Sequence, residues 1–152
     1  MVFLMSWLKG MMDKEPPEPE NPIGIVVIGN LEGDRVHQNA KDMVRKSLKK
    51  AQFKTIDIGK DVPADVFVSK AKELNADIVA VSINTTSGKD NLPKLFSAIK
   101  AAGLMDTVTV MIGGVAVEKE DADKICAVYG ETREEAVALA KEVIEKKKAK
   151  KQ

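Results

Sequence analysis

The only histidine in this 152-residue chain, His37, lies in "GNLEGDRVHQNAKDMV", three places after Asp34 and shortly after the apolar run "IGIVVIG". An imidazole there can ligate a metal or serve a nucleophile; the plainer reading is a histidine at a helix entrance or on the surface. The other reactive residue types narrow the choice. A zinc site needs several Cys or His ligands, and this chain has one of each, His37 and Cys126. A Cys–His hydrolase is excluded because Cys126 precedes the last strand pattern with no oxyanion-forming turn beside it, so it reads as a small core residue. No G-x-G-x-x-G follows the first apolar run and no G-x-x-x-x-G-K-[ST] occurs, which removes dinucleotide and nucleoside-triphosphate sites. A phosphoacceptor domain would need an acidic pair after the first strand and an aspartate ending the third, where Gly29-Asn30 and Ser82 stand. Taken singly, Asp34 is also a turn residue after Gly33, Ser82 a strand end, and Gly113-Gly114 either a tight turn or a place of close backbone approach.

Those residues sit at the joints of an alternating pattern. "IGIVVIG" is short, continuous and β-branched, as a strand buried on both faces should be. "HQNAKDMVRKSLKKAQ" carries Ala40, Met43, Val44, Leu48 and Ala51 at helical spacing. A strand around "KTIDIG", a helix "PADVFVSKAKELN" opened by Pro63, and a strand "DIVAVSI" follow. Next come a polar loop "NTTSGKD", with Thr85, Thr86 and Ser87, and a helix "NLPKLFSAIKAAG" stopped by Gly103. "TVTVMIGG", "KEDADKIC", "AVYG" and "TREEAVALAKEVIEKKKAK" complete five β-α units. They predict an α/β, Rossmann-like (flavodoxin-like) five-stranded parallel sheet of order 2-1-3-4-5 with helices on both faces. Ligands of such sheets bind beyond the carboxyl ends of the strands at the switch point between strands 1 and 3. The loops 29–37 and 83–90 should therefore line the site, and His37 is in the first of them.

Composition agrees. Apolar residues make up 44% and charged residues 31%, with a formal charge of +1, so no global field recruits nucleic acid. One cysteine is compatible with a reducing, cytoplasmic setting, and no apolar stretch reaches the roughly 20 residues of a membrane span. The pattern divides into an apolar segment 1–12, a Pro/Glu-rich linker 13–22, a domain 23–147 and a basic tail 148–152. "MVFLMSWLKGMM" holds four of the seven methionines and the only tryptophan. It reads as an amphipathic contact with a membrane surface or partner, or as a frayed terminus or upstream start before Met11 or Met12, and it lacks the features of a signal peptide. "DKEPPEPENP" should be an extended acidic spacer, and its four prolines predict that residues 1–20 can be removed without loss of the fold.

From Gly24 to about Lys146 the chain resembles the cobalamin-binding domain of corrinoid proteins, most nearly the methyltransferase-associated type, and is similar to the small subunits of adenosylcobalamin mutases. The marks of that family are D-x-H-x-x-G after strand 1, a serine ending strand 3 and a Gly-Gly pair ending strand 4. Here "EGDRVHQNAKDMV", "VAVSINTT" and "VMIGGVAV" supply Asp34 and His37, Ser82, and Gly113 with Gly114. The resemblance implies that His37 ligates the cobalt of a cobalamin in place of the cofactor's own base and that Asp34 fixes the ring from behind. It also implies that Ala40, Ser82, Asn84, Thr85, Gly113 and Gly114 lie at the cofactor. Three departures stand out. Arg35 and Val36 separate Asp34 from His37 where the family has one residue, Ala40 replaces the motif's glycine, and Asn84 stands where leucine is frequent. The family's methyltransferase members also usually carry an N-terminal helical bundle, for which residues 1–22 are too short.

The implied function is a methyl-group carrier subunit serving a partner methyltransferase of one-carbon metabolism, a cofactor-bearing component of an enzyme system. A mutase small subunit is the nearest variant. The alternative is a non-catalytic module, a store, sensor or scaffold, in which cobalt ligation is weakened or lost.

Overall fold

Alternate residues of each central strand belong to different cores. In the computed structural model, which describes residues 14–151, Val27, Val79, Val81, Val110 and Ile112 face one side of a sheet, and Val26, Ile28, Ile78, Ala80 and Met111 face the other. The strands are β1 (Gly24–Asn30), β2 (Phe53–Asp57), β3 (Ile78–Ser82), β4 (Thr109–Gly113) and β5 (Val128–Tyr129). All neighbouring pairs are parallel, and the order is β2-β1-β3-β4-β5. Burying a Val or Ile side chain contributes about 1.5–3 kcal/mol, so a one-residue slip, which exchanges the faces, is strongly opposed.

Each face is covered by helices whose apolar stripes complete it. On one side lie α2 (Ala64–Leu74), α4 (Leu92–Ala101) and α5 (Lys119–Lys124), contributing Phe67, Ala71, Leu95, Ile99 and Ala122. On the other lie α1 (Asn39–Lys50) and α6 (Arg133–Lys151), contributing Leu48, Ala136, Ala140 and Ile144. The expected polar loop at 84–90 is instead partly helical. Thr86–Asp90 form a short helix, α3, because the Thr85 hydroxyl oxygen accepts a hydrogen bond from Gly88 N at 2.9 Å and caps it. Helix α1 begins at Asn39, leaving His37 and Gln38 in the preceding loop.

The acidic spacer has no regular structure over residues 14–20, yet it is tied to α1. Both carboxylate oxygens of Glu15 accept from the Arg45 guanidinium, at 2.8 and 2.6 Å. The Lys49 ammonium reaches Glu15 at 2.9 Å and Glu18 at 2.7 Å. Arg45 first, then Lys49, holds the Glu15 carboxyl down at about 2. The apolar segment 1–12 lies outside the described residues. Among the described residues no helix is long and apolar enough to cross a membrane.

Candidate functional site

The loop after β1 is organised around a buried carboxylate. Asp34 is wholly inaccessible, and both of its oxygens are occupied. Oδ1 lies 2.9 Å from Nδ1 of His37 and accepts from the His37 backbone N–H at 3.2 Å and the Val36 N–H at 3.4 Å. Oδ2 accepts from the side-chain amides of Asn84 at 3.0 Å and Asn30 at 3.2 Å. Burial alone would raise this acid's pKa. The hydrogen bonds from Asn84, His37 and Asn30 outweigh it and hold the carboxyl well below the usual carboxylate range.

An ionised Asp34 can only accept, so His37 Nδ1 must carry the proton. Nε2 is then the lone-pair nitrogen, and it makes no hydrogen bond among the described residues. The side chain is about half exposed, at 47%. A neutral imidazole presented this way, with a carboxylate behind it, has the tautomer that could ligate a metal through Nε2. The two residues between Asp34 and His37 form a bend that curls over the Asp34 carboxylate, and the Gln38 N–H donates to Val36 O at 3.1 Å just beyond it. Val36 points outward and is 73% exposed.

Beside this loop opens a cleft of about 710 Å³ across the carboxyl ends of β1, β3, β4 and β5. Ile28, Ala80 and Met111 supply apolar lining, while Ala40 and Met43 of α1 lie along one side and Thr132 and Arg133 at the start of α6 along another. Ser82, Asn84, Gly113 and Gly114 also line it. The structure therefore brings five of the sequence-derived residues together at the cleft: Ala40, Ser82, Asn84, Gly113 and Gly114. Asp34 and His37 join them through Asn84. Thr85 does not line the cleft, because its hydroxyl is committed to Gly33 O at 2.9 Å and to the cap of α3.

The glycine pair is required by the chain itself. A Cβ on Gly114, whose φ is +120°, would sit 2.1 Å from Ile83 O, and one on Gly113 would meet Gly130 O at 2.7 Å. Close approach of the loops after β3, β4 and β5 thus fixes both glycines, and the same approach shapes the cleft wall. Ala40 lies in the first turn of α1 with ordinary helical backbone, so a methyl is tolerated there without strain.

Several site residues were not found by sequence reasoning. Asn30 ends β1, is fully buried, and its amide donates to His37 O at 2.7 Å as well as to Asp34. Both partners are acceptors, which fixes the amide's orientation and leaves Oδ1 without a partner among the described residues. A polar residue at the switch-point end of a buried strand was the available signal. Lys41 is 2% exposed yet lines the cleft, and Asp57 at 2.9 Å and Gly59 O at 3.3 Å hold its ammonium. Tyr129 lines the β5 side. Burial first, then Glu131, Glu118 and Glu135, pushes its phenol up, so it stays neutral and able to donate. That side lies beyond the loops expected to form the site, because the cleft continues along the whole row of strand ends.

Among the described residues no group of three or more His, Cys, Asp or Glu could hold a bare metal ion. His37 Nε2 offers a single protein nitrogen beside a cleft of about 710 Å³. This donor set fits a macrocyclic metal cofactor. The molecule has the architecture of a flavodoxin-like ligand-binding domain with its site at the switch point. The B12 binding domain family matches residues 24–140, and the chain belongs to that family.

Relatives sharpen the comparison. The chain is 40% identical over 141 residues to trimethylamine corrinoid protein 1 of Methanosarcina acetivorans, covering 92% of this chain and 64% of that one. It is 42% identical over 123 residues to the dimethylamine corrinoid protein of Methanosarcina barkeri, covering 80% and 57%. In structure it is similar to the monomethylamine corrinoid protein of Methanosarcina barkeri, with TM-score 0.77 and 25% identity over 91% of this chain and 65% of that chain. The chain thus spans less than two thirds of the length of each of these relatives.

Proposed function

We propose that this chain is a corrinoid-binding carrier subunit that presents a methyl group to a partner methyltransferase. The observation that supports it best is the Asp34–His37 pair, with Nε2 unengaged, beside a cleft walled by Ser82, Asn84, Gly113 and Gly114. A bound cobalamin would supply a cobalt centre able to accept and release a methyl group. In this reading Nε2 of His37 is the ligand donated by the protein, and Asp34 keeps the proton on Nδ1 so that Nε2 stays available. Ala40, Ser82, Asn84 and the Gly113-Gly114 backbone border the nucleotide tail, while Thr85 holds the neighbouring loop in shape. Lys41 and Asp57 brace the start of α1 against the end of β2, which keeps the cleft wall in place.

In this reading, activation of the methyl donor is assigned to the partner methyltransferase. The named relatives carry three different methylamines in their names, which supports assigning donor choice to the partner. The test is to mix the purified protein with hydroxocobalamin and separate it by gel filtration. One equivalent should travel with the protein, with the visible spectrum shifted to a histidine-ligated, base-off form. A colourless protein would overturn the proposal. Binding with an unshifted base-on spectrum would favour a store or sensor.

A further inference from the structure

Asn84 stands where the resemblance leads one to expect leucine, and its side chain reaches residues of three different loops and strand ends. From the loop after β3 its amide nitrogen donates to Asp34 Oδ2 at 3.0 Å and to Ser82 Oγ at 2.9 Å. Its amide oxygen accepts from Val115 N–H at 3.2 Å in the loop after β4. These partners fix the amide's orientation, because the reverse arrangement would set an oxygen against the carboxylate and an NH2 against an N–H. One side chain thus connects the loops after β1, β3 and β4. A leucine could make none of these bonds.

The consequence for the histidine is geometric. A carboxylate held only on the His37 side could rotate about its Cβ–Cγ bond and swing both oxygens out of line with Nδ1. With Oδ2 anchored by Asn84 and Asn30, Oδ1 stays directed at Nδ1. Asn30 also holds the His37 carbonyl, so it positions the histidine's backbone, whereas Asn84 engages only the carboxylate and the two neighbouring loops. We propose that Asn84 is a positioning residue that locks Asp34, and through it the His37 ring, in the form that leaves Nε2 free as the ligand nitrogen. The proposal builds on the reading of His37 as the cobalt ligand, but it concerns the ring before any cofactor binds.

The experiment exploits the chain's single histidine. Nitrogen NMR of the corrinoid-free protein reports directly which ring nitrogen carries the proton, with no other imidazole to overlap. The wild-type protein should show one tautomer, protonated on Nδ1. Asn84→Leu and Asn84→Ser should loosen the Asp34 carboxylate and shift the ring from one tautomer to a detectable mixture of two. Asp34→Asn should abolish the preference. Circular dichroism verifies that each variant is folded. If the folded Asn84 variants keep the wild-type tautomer ratio, the proposal is overturned. It is equally overturned if both variants lose the fold, since the amide would then serve folding. Failure to bind cobalamin would count against the function proposed above and would leave the tautomer result standing.

Discussion

The His37 side chain touches the rest of the protein mainly through one ring nitrogen, so its truncation, which leaves the backbone bonds to Asp34 and Asn30 in place, separates ligation from folding. His37→Ala should abolish the histidine-specific shift in the spectrum of added cobalamin. Stability should fall by about 1.5–3 kcal/mol, the scale of one hydrogen bond lost by the buried Asp34 carboxylate, while the fold is kept because the side chain is about half exposed and packs in no core. Absorption spectra and urea denaturation of the same preparation check both halves. Gly114 should behave in the opposite way. Gly114→Ala places a Cβ against Ile83 O at positive φ and should cost about 3 kcal/mol in urea denaturation. The aspartate–histidine pairing was legible in the sequence only through family resemblance. Close backbone approach at the glycines was one of two readings the sequence offered, but the protein backbones that make the approach were not legible. The contact joins backbones more than 15 residues apart, which no local pattern records.

Among the elements, α1 is held from two sides. Its buried Lys41 is clasped by the end of β2, and its Arg45 and Lys49 are clasped by the spacer. The strap is an ionic interaction at the surface, so Glu15→Gln should cost about 1 kcal/mol or less, and high salt should narrow the difference. The pH dependence has a definite sign. The folded pKa of Glu15, about 2, lies below its ordinary 4.5, so the ionised form is the one bound. Its contribution is fully present above about pH 4.5 and disappears as pH falls through about 2. Thermal melts of wild type and Glu15→Gln should therefore differ at neutral pH and converge in acid. The proline content announced an extended segment, but the charges that fasten it lie 30 and 34 residues away in sequence, beyond the reach of composition. The helix α3 was missed for a related reason. "TTSGKD" has turn chemistry throughout, and the Thr85 cap on Gly88 N–H is what marks its helix start.

At the scale of the molecule, strand order and the switch-point site followed from five apolar runs alternating with helical stripes, a global pattern that any single run would have left ambiguous. The cleft's extension to β5 and α6 did not follow, because β5 is only two residues long and its loop carries no motif. Loading should register on the whole fold. At a hundredfold excess over Kd, a ligand of the native state adds roughly 2.7 kcal/mol, so cobalamin should raise Tm by several degrees, measured by calorimetry, and should raise that of His37→Ala by less. The cleft and the second core share Ile28, Ala80, Met111 and Ala136. These four side chains therefore answer to two demands at once. Bulk added there to tighten the interior would be subtracted from the room available to a guest, so thermostability and carrying capacity trade against each other on one patch of sheet. The small side chain of Ala80, in the middle of that patch, is the compromise between them.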